Sequence, residues 1–279
     1  MGAPGEAGEA GLVSVLLSTR NRAASLGVAM QSVLDQEGVD LELIVVNDGS
    51  TDATAAVLAA HGDDSRVRVF HQEESRGLPA SLNRAAKEAR GALLARVDDD
   101  DRWIRRDKLL LQRAAFEASP DLVLLGTGYR DEAQRAIRNP LRDADIRKQM
   151  LFRCPFCHPS VVMRASAFHA VGGYDEAMTY GEDWELWLRL GTTGRLGNLG
   201  ELCVEKAGGQ KTLSAQNFDR QLHLAVSLAG THRDSYPGAS RALGMHRFSR
   251  WFFDRFPLGG AVHRALSRAY RGVFSLERD

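Results

Sequence analysis

Residues 98–101 are four consecutive aspartates, set directly behind the apolar run "ALLARV" (92–97). Adjacent carboxylates repel one another, so such a run needs open solvent or a cation. Oxygen donors at the end of a buried strand suit a hard divalent ion such as Mg²⁺ or Mn²⁺, which leaves part of its shell to water or phosphate. The plainer use of an acidic loop is to complement the dipole of a following helix. A second acidic pair, Glu182 and Asp183, opens "EDWELWLRL". There a positioned carboxylate can act as a general base, or again simply favour a helix N-terminus. The polar stretches "STRNR" (18–22) and "NDGSTD" (47–52) carry Asp, Asn, Thr and Arg, although any loop between a strand and a helix tends to be polar.

These residues need elements to hold them. "VSVLLS" (13–18) reads as a buried strand, and Leu26, Met30, Val33 and Leu34 then fall on one helical face. "LELIVV" (41–46) is a second strand, followed by "NDGSTD" and an Ala-rich helix to about His61; "RVRVF" (66–70) is a third. A helix within "ESRGLPASLNRAAKEARG" stops at Gly91, and "ALLARV" is the fourth strand. The βαβαβαβ rhythm predicts a parallel sheet covered on both faces, with ligands beyond the strand C-terminal ends. The three polar loops after strands one, two and four share that rim. Beyond it, a helix is expected over about 105–118, strands over 121–129 and 158–163, a helix ending at Gly191 and an extended segment over 195–206. From about Gln216 the chain reads as helical.

The chain has 279 residues, 44% hydrophobic and 26% charged, enough for a large core. Its 36 basic and 36 acidic residues cancel, which argues against nucleic acid as a partner. No apolar run reaches the length of a membrane span, and no signal peptide opens the sequence. The start, residues 1–11, reads as a disordered lead; Glu6 stands where myristoylation needs Ser or Thr. Three cysteines form no disulfide framework, so the expected compartment is the reducing cytoplasm.

Taken in order, "STRNR", "VNDGSTD", "RGLPASLNRA", "RVDDDDRW" and "GGYDE" with "GEDWELWLRL" resemble the family 2 inverting glycosyltransferases. The resemblance runs from about Leu12 to about Ser214. It implies an α/β GT-A fold, with a Rossmann-like, mainly parallel central sheet flanked by helices, and a nucleotide-sugar donor, UDP-linked. Thr19, Asn21, Arg22, Asp48, Arg76 and Asn83 match positions around the nucleotide, Asp48 as acceptor for a uracil imide N–H. Asp98 and Asp100 match the DXD pair that meets the ribose and holds Mn²⁺ or Mg²⁺. Asp99 only adds charge, Asp101 caps the next helix and Trp103 packs. Asp183 matches the general base that deprotonates a hydroxyl acceptor on a glycan, a lipid-linked sugar or a metabolite. Trp184, Leu186, Trp187, Leu188 and Leu190 bury its helix. The implied division is a lead over 1–11, a catalytic domain over 12–215 with donor (12–101) and acceptor (102–215) halves, and a helical extension over 216–279.

Other readings compete. "CPFCH" (154–158) has the spacing of c-type haem attachment, but that requires export. A redox pair would precede a helix, and zinc would need Cys203 as fourth ligand; small buried residues are the simpler role for Cys154 and Cys157. His158 fits either the site or the core. A sugar nucleotidyltransferase would need a Gly-rich loop after the first strand, and "STRNRAAS" has no glycine. A non-catalytic nucleotide-sugar-binding protein would be expected to lack one acidic centre, and a glycosidase has no use for nucleotide loops. The stretch 245–272 carries six Arg against one Asp, interleaved with Phe248, Trp251, Phe252, Phe253 and Phe256. It continues with Val262, Leu266, Ala269 and Val273 on one face and Arg264, Arg268 and Arg271 on another. Such helices dock on protein, on the same chain or a twin subunit, or lie at the inner face of a membrane.

Overall fold

The computed structural model describes residues 8–207 and 218–255. These divide into two compact units, residues 8–142 with 156–207, and residues 143–155 with 218–255.

The first unit is built on one nine-stranded sheet. Its first half follows the sequence reading: β1 (Glu9–Thr19), β2 (Asp40–Asp48), β3 (Val67–Gln72) and β4 (Gly91–Arg96) run parallel in the order β3-β2-β1-β4. Helices α1 (Leu26–Leu34), α2 (Thr54–Ala59) and α3 (Leu78–Glu88) are the crossovers. Leu26, Met30, Val33 and Leu34 all pack into the core, as their spacing requires. β1 takes in Glu9–Gly11, which the sequence assigned to the lead.

The second half is mixed rather than parallel. β8 (Val162–Arg164) lies antiparallel between β4 and β6 (Leu122–Arg130); β6 then pairs in parallel with β9 (Arg195–Glu205). β5 (Arg102–Trp103) and β7 (Ala136–Ile137) add short antiparallel pairs. A buried apolar run has the same composition in either direction, so its polarity is not in the pattern. "HPSVVM" is not one strand: His158–Ser160 form a 3₁₀ turn ahead of β8, because Pro159 lacks the N–H that a sheet ladder needs. Helices α4 (Lys108–Ala118), α6 (Ala165–Ala170) and α7 (Glu182–Leu190) complete this unit.

In the second unit, α5 (Asp143–Gln149) accompanies α8 (Phe218–Thr231) and α9 (Ala239–Arg255). The Arg147 guanidinium lies 5.8 Å from the Tyr236 ring, and buried His246 hydrogen-bonds the Leu151 carbonyl at 2.8 Å. The helical face expected over 262–273 falls outside the described residues.

β1 is the point where strand order reverses, β2 lying on one side of it and β4 on the other. In open α/β sheets such a reversal forms a crevice beyond the strand C-termini.

Candidate active site

The loop after β1 reaches across this crevice. Asn21, with φ 54° in the left-handed region, donates its main-chain N–H to Ser50 Oγ at 3.0 Å. Its side-chain Oδ1 accepts from Thr51 N at 2.8 Å. These bonds join the first two polar loops. They also aim Arg22 at the aspartate run, 3.7 Å from Asp99 and 3.6 Å from Asp100. Thr19, the last residue of β1, is buried.

The four aspartates are not equivalent. Asp98 accepts from Arg96 Nη2 at 2.5 Å. Burial works against its charge, but Arg96, helped by Lys206, holds its pKa down at about 2. Asp99 is pushed up to about 6 by burial, with Asp98 and Asp100 adding to it. Asp100 is the most exposed side chain of those paired with Arg22. Asp101 corrects the sequence reading. It caps no helix, since α4 begins at Lys108 behind Asp107. Instead its Oδ1 accepts the Ala207 N–H at 3.0 Å, while Oδ2 is buried without a partner among the described residues. Burial and Asp98 raise it to about 7. Trp103 packs as expected, donating Nε1–H to the Pro159 carbonyl at 2.8 Å beneath the Lys108 ammonium.

Asp48 stands on the same rim, and its carboxylate is hydrogen-bonded within the protein. It is 4% exposed. Its two oxygens accept from Gln72 Nε2, Ser75 Oγ and the main-chain N–H groups of Arg76 and Gly77, at 2.7–3.1 Å. A carboxylate has about four acceptor sites, and these four donors take them. The carboxylate thus pins the loop between β3 and α3, where the Arg76 side chain is exposed. Asn83 is similarly committed: it accepts from Tyr174 N and donates to Tyr174 O and Glu176 Oε1, each at 2.9 Å. This explains "GGYDE", because a side chain at Gly173 would meet Asn83 Oδ1 at 2.7 Å.

Glu182 and Asp183 begin α7 behind Gly181, which has a left-handed φ of 73°. Trp184, Leu186, Trp187, Leu188 and Leu190 are buried as predicted and hold the helix in place. Arg189 ties it to the turn before Tyr174 through the Val171 and Gly173 carbonyls at 2.6 and 2.8 Å. Burial raises both carboxyls, Glu182 to about 7. The charge of Asp98 adds to the rise at Asp183, and that of Arg96 counters it at Glu182. The two acidic centres therefore share one electrostatic neighbourhood. His158 lies in it too, hydrogen-bonded to the Tyr174 hydroxyl at 2.8 Å; burial lowers its pKa to about 3, so the ring is neutral. Cys157 and Cys203 are buried thiols and Cys154 is half-buried. Arg96 and Lys206 are the site residues that sequence reasoning missed. The visible signal for the first was an arginine inside an otherwise apolar strand.

Asp98 and Asp100 offer ionisable oxygens at one strand end, a donor set that fits Mg²⁺ or Mn²⁺ with water and phosphate completing the shell. Among the described residues no group of three or more His, Cys, Asp or Glu side chains is arranged to hold a metal by itself.

A model of the family described as "Glycosyl transferase family 2" matches residues 14–171, more than half of the chain. A Bacillus subtilis (strain 168) protein named as a glycosyltransferase, EpsE, is 33% identical over 222 residues, 77% of this chain and 79% of that one. The chondroitin synthase of Pasteurella multocida (strain Pm70) is 25% identical over 248 residues; the chain spans 88% of its own length there but only 24% of the synthase. Among solved structures, S. aureus TarS 1-349 with UDP-GlcNAc superposes with a TM-score of 0.68 at 16% identity, covering 85% of this chain and 72% of that one. The mannosyltransferase PcManGT of Pyrobaculum calidifontis, with GDP-Man and Mn²⁺, gives 0.63 at 18%, covering 95% and 81%. The chain shares their GT-A fold.

Proposed function

The chain belongs to glycosyl transferase family 2, and on that premise we propose that it transfers a sugar from a UDP-linked donor to a hydroxyl acceptor, with inversion at the anomeric carbon. The observation that carries this reading is the convergence of the Arg22 loop, the Asp98–Asp101 run and the Glu182–Asp183 pair on one crevice. Thr19, Asn21 and Arg22 form the nucleotide-side wall. Asp48 and Asn83 support it by fixing the loop at Arg76 and the turn at Tyr174. Exposed Arg76 meets the donor's diphosphate.

In the reaction, Asp183 takes the proton of the acceptor hydroxyl while that oxygen bonds to the anomeric carbon. The bond from that carbon to the diphosphate oxygen breaks in the same displacement, and a nucleoside diphosphate leaves. Burial makes Asp183 a stronger base than an exposed carboxylate. A divalent cation held by Asp98 and Asp100 would supply positive charge for the leaving diphosphate. Arg22 holds Asp99 and Asp100.

TarS is recorded with UDP-GlcNAc and PcManGT with GDP-Man, so GDP is the second base to try. UDP-, GDP- and dTDP-sugars incubated with Mn²⁺ or EDTA test the reading. Metal-dependent release of free nucleoside diphosphate supports it; release of monophosphate, or no turnover of any donor, contradicts it.

The second unit contributes a surface of its own. On α9, Phe248 and Trp251 are 63% and 55% exposed, and Arg247, Arg250, Trp251 and Arg255 line an open pocket of about 440 Å³. We assign this patch to an anionic lipid surface. Arginines around interfacial aromatics complement acidic headgroups, whereas a two-fold contact would set the same arginines against each other. No helix among the described residues is long and apolar enough to cross a membrane.

A further inference from the structure

Arg96 ends β4 with its side chain 0% exposed, between strands built of Leu, Val and Ala. Burying a guanidinium is costly unless its donors are matched, and an apolar side chain would fill the same space without that cost. The matching here is partial. Nη1 donates to the Val97 carbonyl and Nη2 to Asp98 Oδ1, while Nε has no partner among the described residues. The one side chain it grips is the first aspartate of the run.

The surroundings make the charge useful. Asp98–Asp101, Glu182 and Asp183 bring six carboxyls together, and Arg22, Arg96 and Lys206 are the cations set against them. Arg22 sits on the solvent side, with Asp99 and Asp100. Arg96 alone of the three is both fully buried and hydrogen-bonded to Asp98.

We propose that Arg96 is a positioning residue for donor binding. Its fork fixes one oxygen of Asp98 and so turns the other toward the nucleotide diphosphate and its metal ion. This rests on the glycosyltransferase reading of the crevice.

Calorimetric titration of the full chain with Mn²⁺ and UDP tests it without any turnover. Arg96→Met should weaken binding about 10- to 100-fold, as loss of a partner behind a metal ligand does. Arg96→Lys, which keeps the charge but loses the fork, should fall between. In an Asp98→Asn background the Arg96 substitutions should add little further loss, because their effect runs through Asp98. Parental affinity in Arg96→Met, or losses that simply multiply in the double variant, overturns the proposal. If Arg96→Met does not fold by circular dichroism, Arg96→Lys decides alone, and parental affinity there overturns it. Asp100→Asn separates the two claims: if it too binds Mn²⁺ and UDP normally, the reading of the crevice fails, not only the role of Arg96.

Discussion

The carboxylate of Asp48 accepts the main-chain N–H of Arg76 at 2.7 Å, tying the end of β2 to the loop that enters α3. Three further donors complete its shell. Asp48→Asn offers one acceptor oxygen and one donor in place of two acceptors. It should lower stability by about 2–4 kcal/mol even without nucleotide, since hydrogen bonds to a charged group are each worth roughly 1.5–3 kcal/mol. Urea denaturation measures this. A variant of parental stability that has nevertheless lost UDP affinity would show that Asp48 touches the base.

Lys108 is wholly buried, its ammonium 3.8 Å from the Trp103 ring centroid and 2.8 Å from Gln112 Oε1. Burial lowers its pKa to about 7. Below pH 7 both the native and unfolded states carry the proton, and the native state bears the full cost of the buried charge. Between pH 7 and about 10 only the unfolded state keeps it, so stability from this group rises across that window. Lys108→Met should therefore exceed the parent by roughly 1–4 kcal/mol at pH 6, with the gain shrinking toward pH 9.5. A gain independent of pH would show that the amine does not titrate there.

The α9 patch should carry the chain onto vesicles containing phosphatidylglycerol at low salt and not onto pure phosphatidylcholine. High salt should release it. Reversing Arg247 and Arg250 to Glu should weaken binding roughly tenfold or more, at about 1 kcal/mol per basic residue near the surface. Binding indifferent to lipid charge, or a dimer in light scattering that Trp251→Ala dissolves, would give the patch to another partner.

What was legible in the sequence follows from local pattern. β1, β2 and α1 declared themselves because Val13–Ser18, Leu41–Val46 and the Leu26–Leu34 face carry their periods within a few residues. Two-residue strands such as Arg102–Trp103 have no period to show. The partner of Asp101 is Ala207, 106 residues away; a local reading therefore gave the carboxylate to the nearest helix. Asp48 and Asn83 were singled out by position, but their partners Gly77 and Tyr174 lie on other segments. Those hydrogen bonds became visible only with the fold.

The central claim is that Asp183 deprotonates the acceptor while other residues hold the donor. Asp183→Asn keeps the side-chain size and the start of α7 but removes the base. Transfer to acceptor and donor affinity should be measured together on this variant and on Glu182→Gln. Transfer should fall about 10²–10⁴-fold for Asp183→Asn, with Mn²⁺ and nucleotide-sugar still bound, and less for Glu182→Gln. Parental transfer by Asp183→Asn, above all with Glu182→Gln inactive, would contradict it.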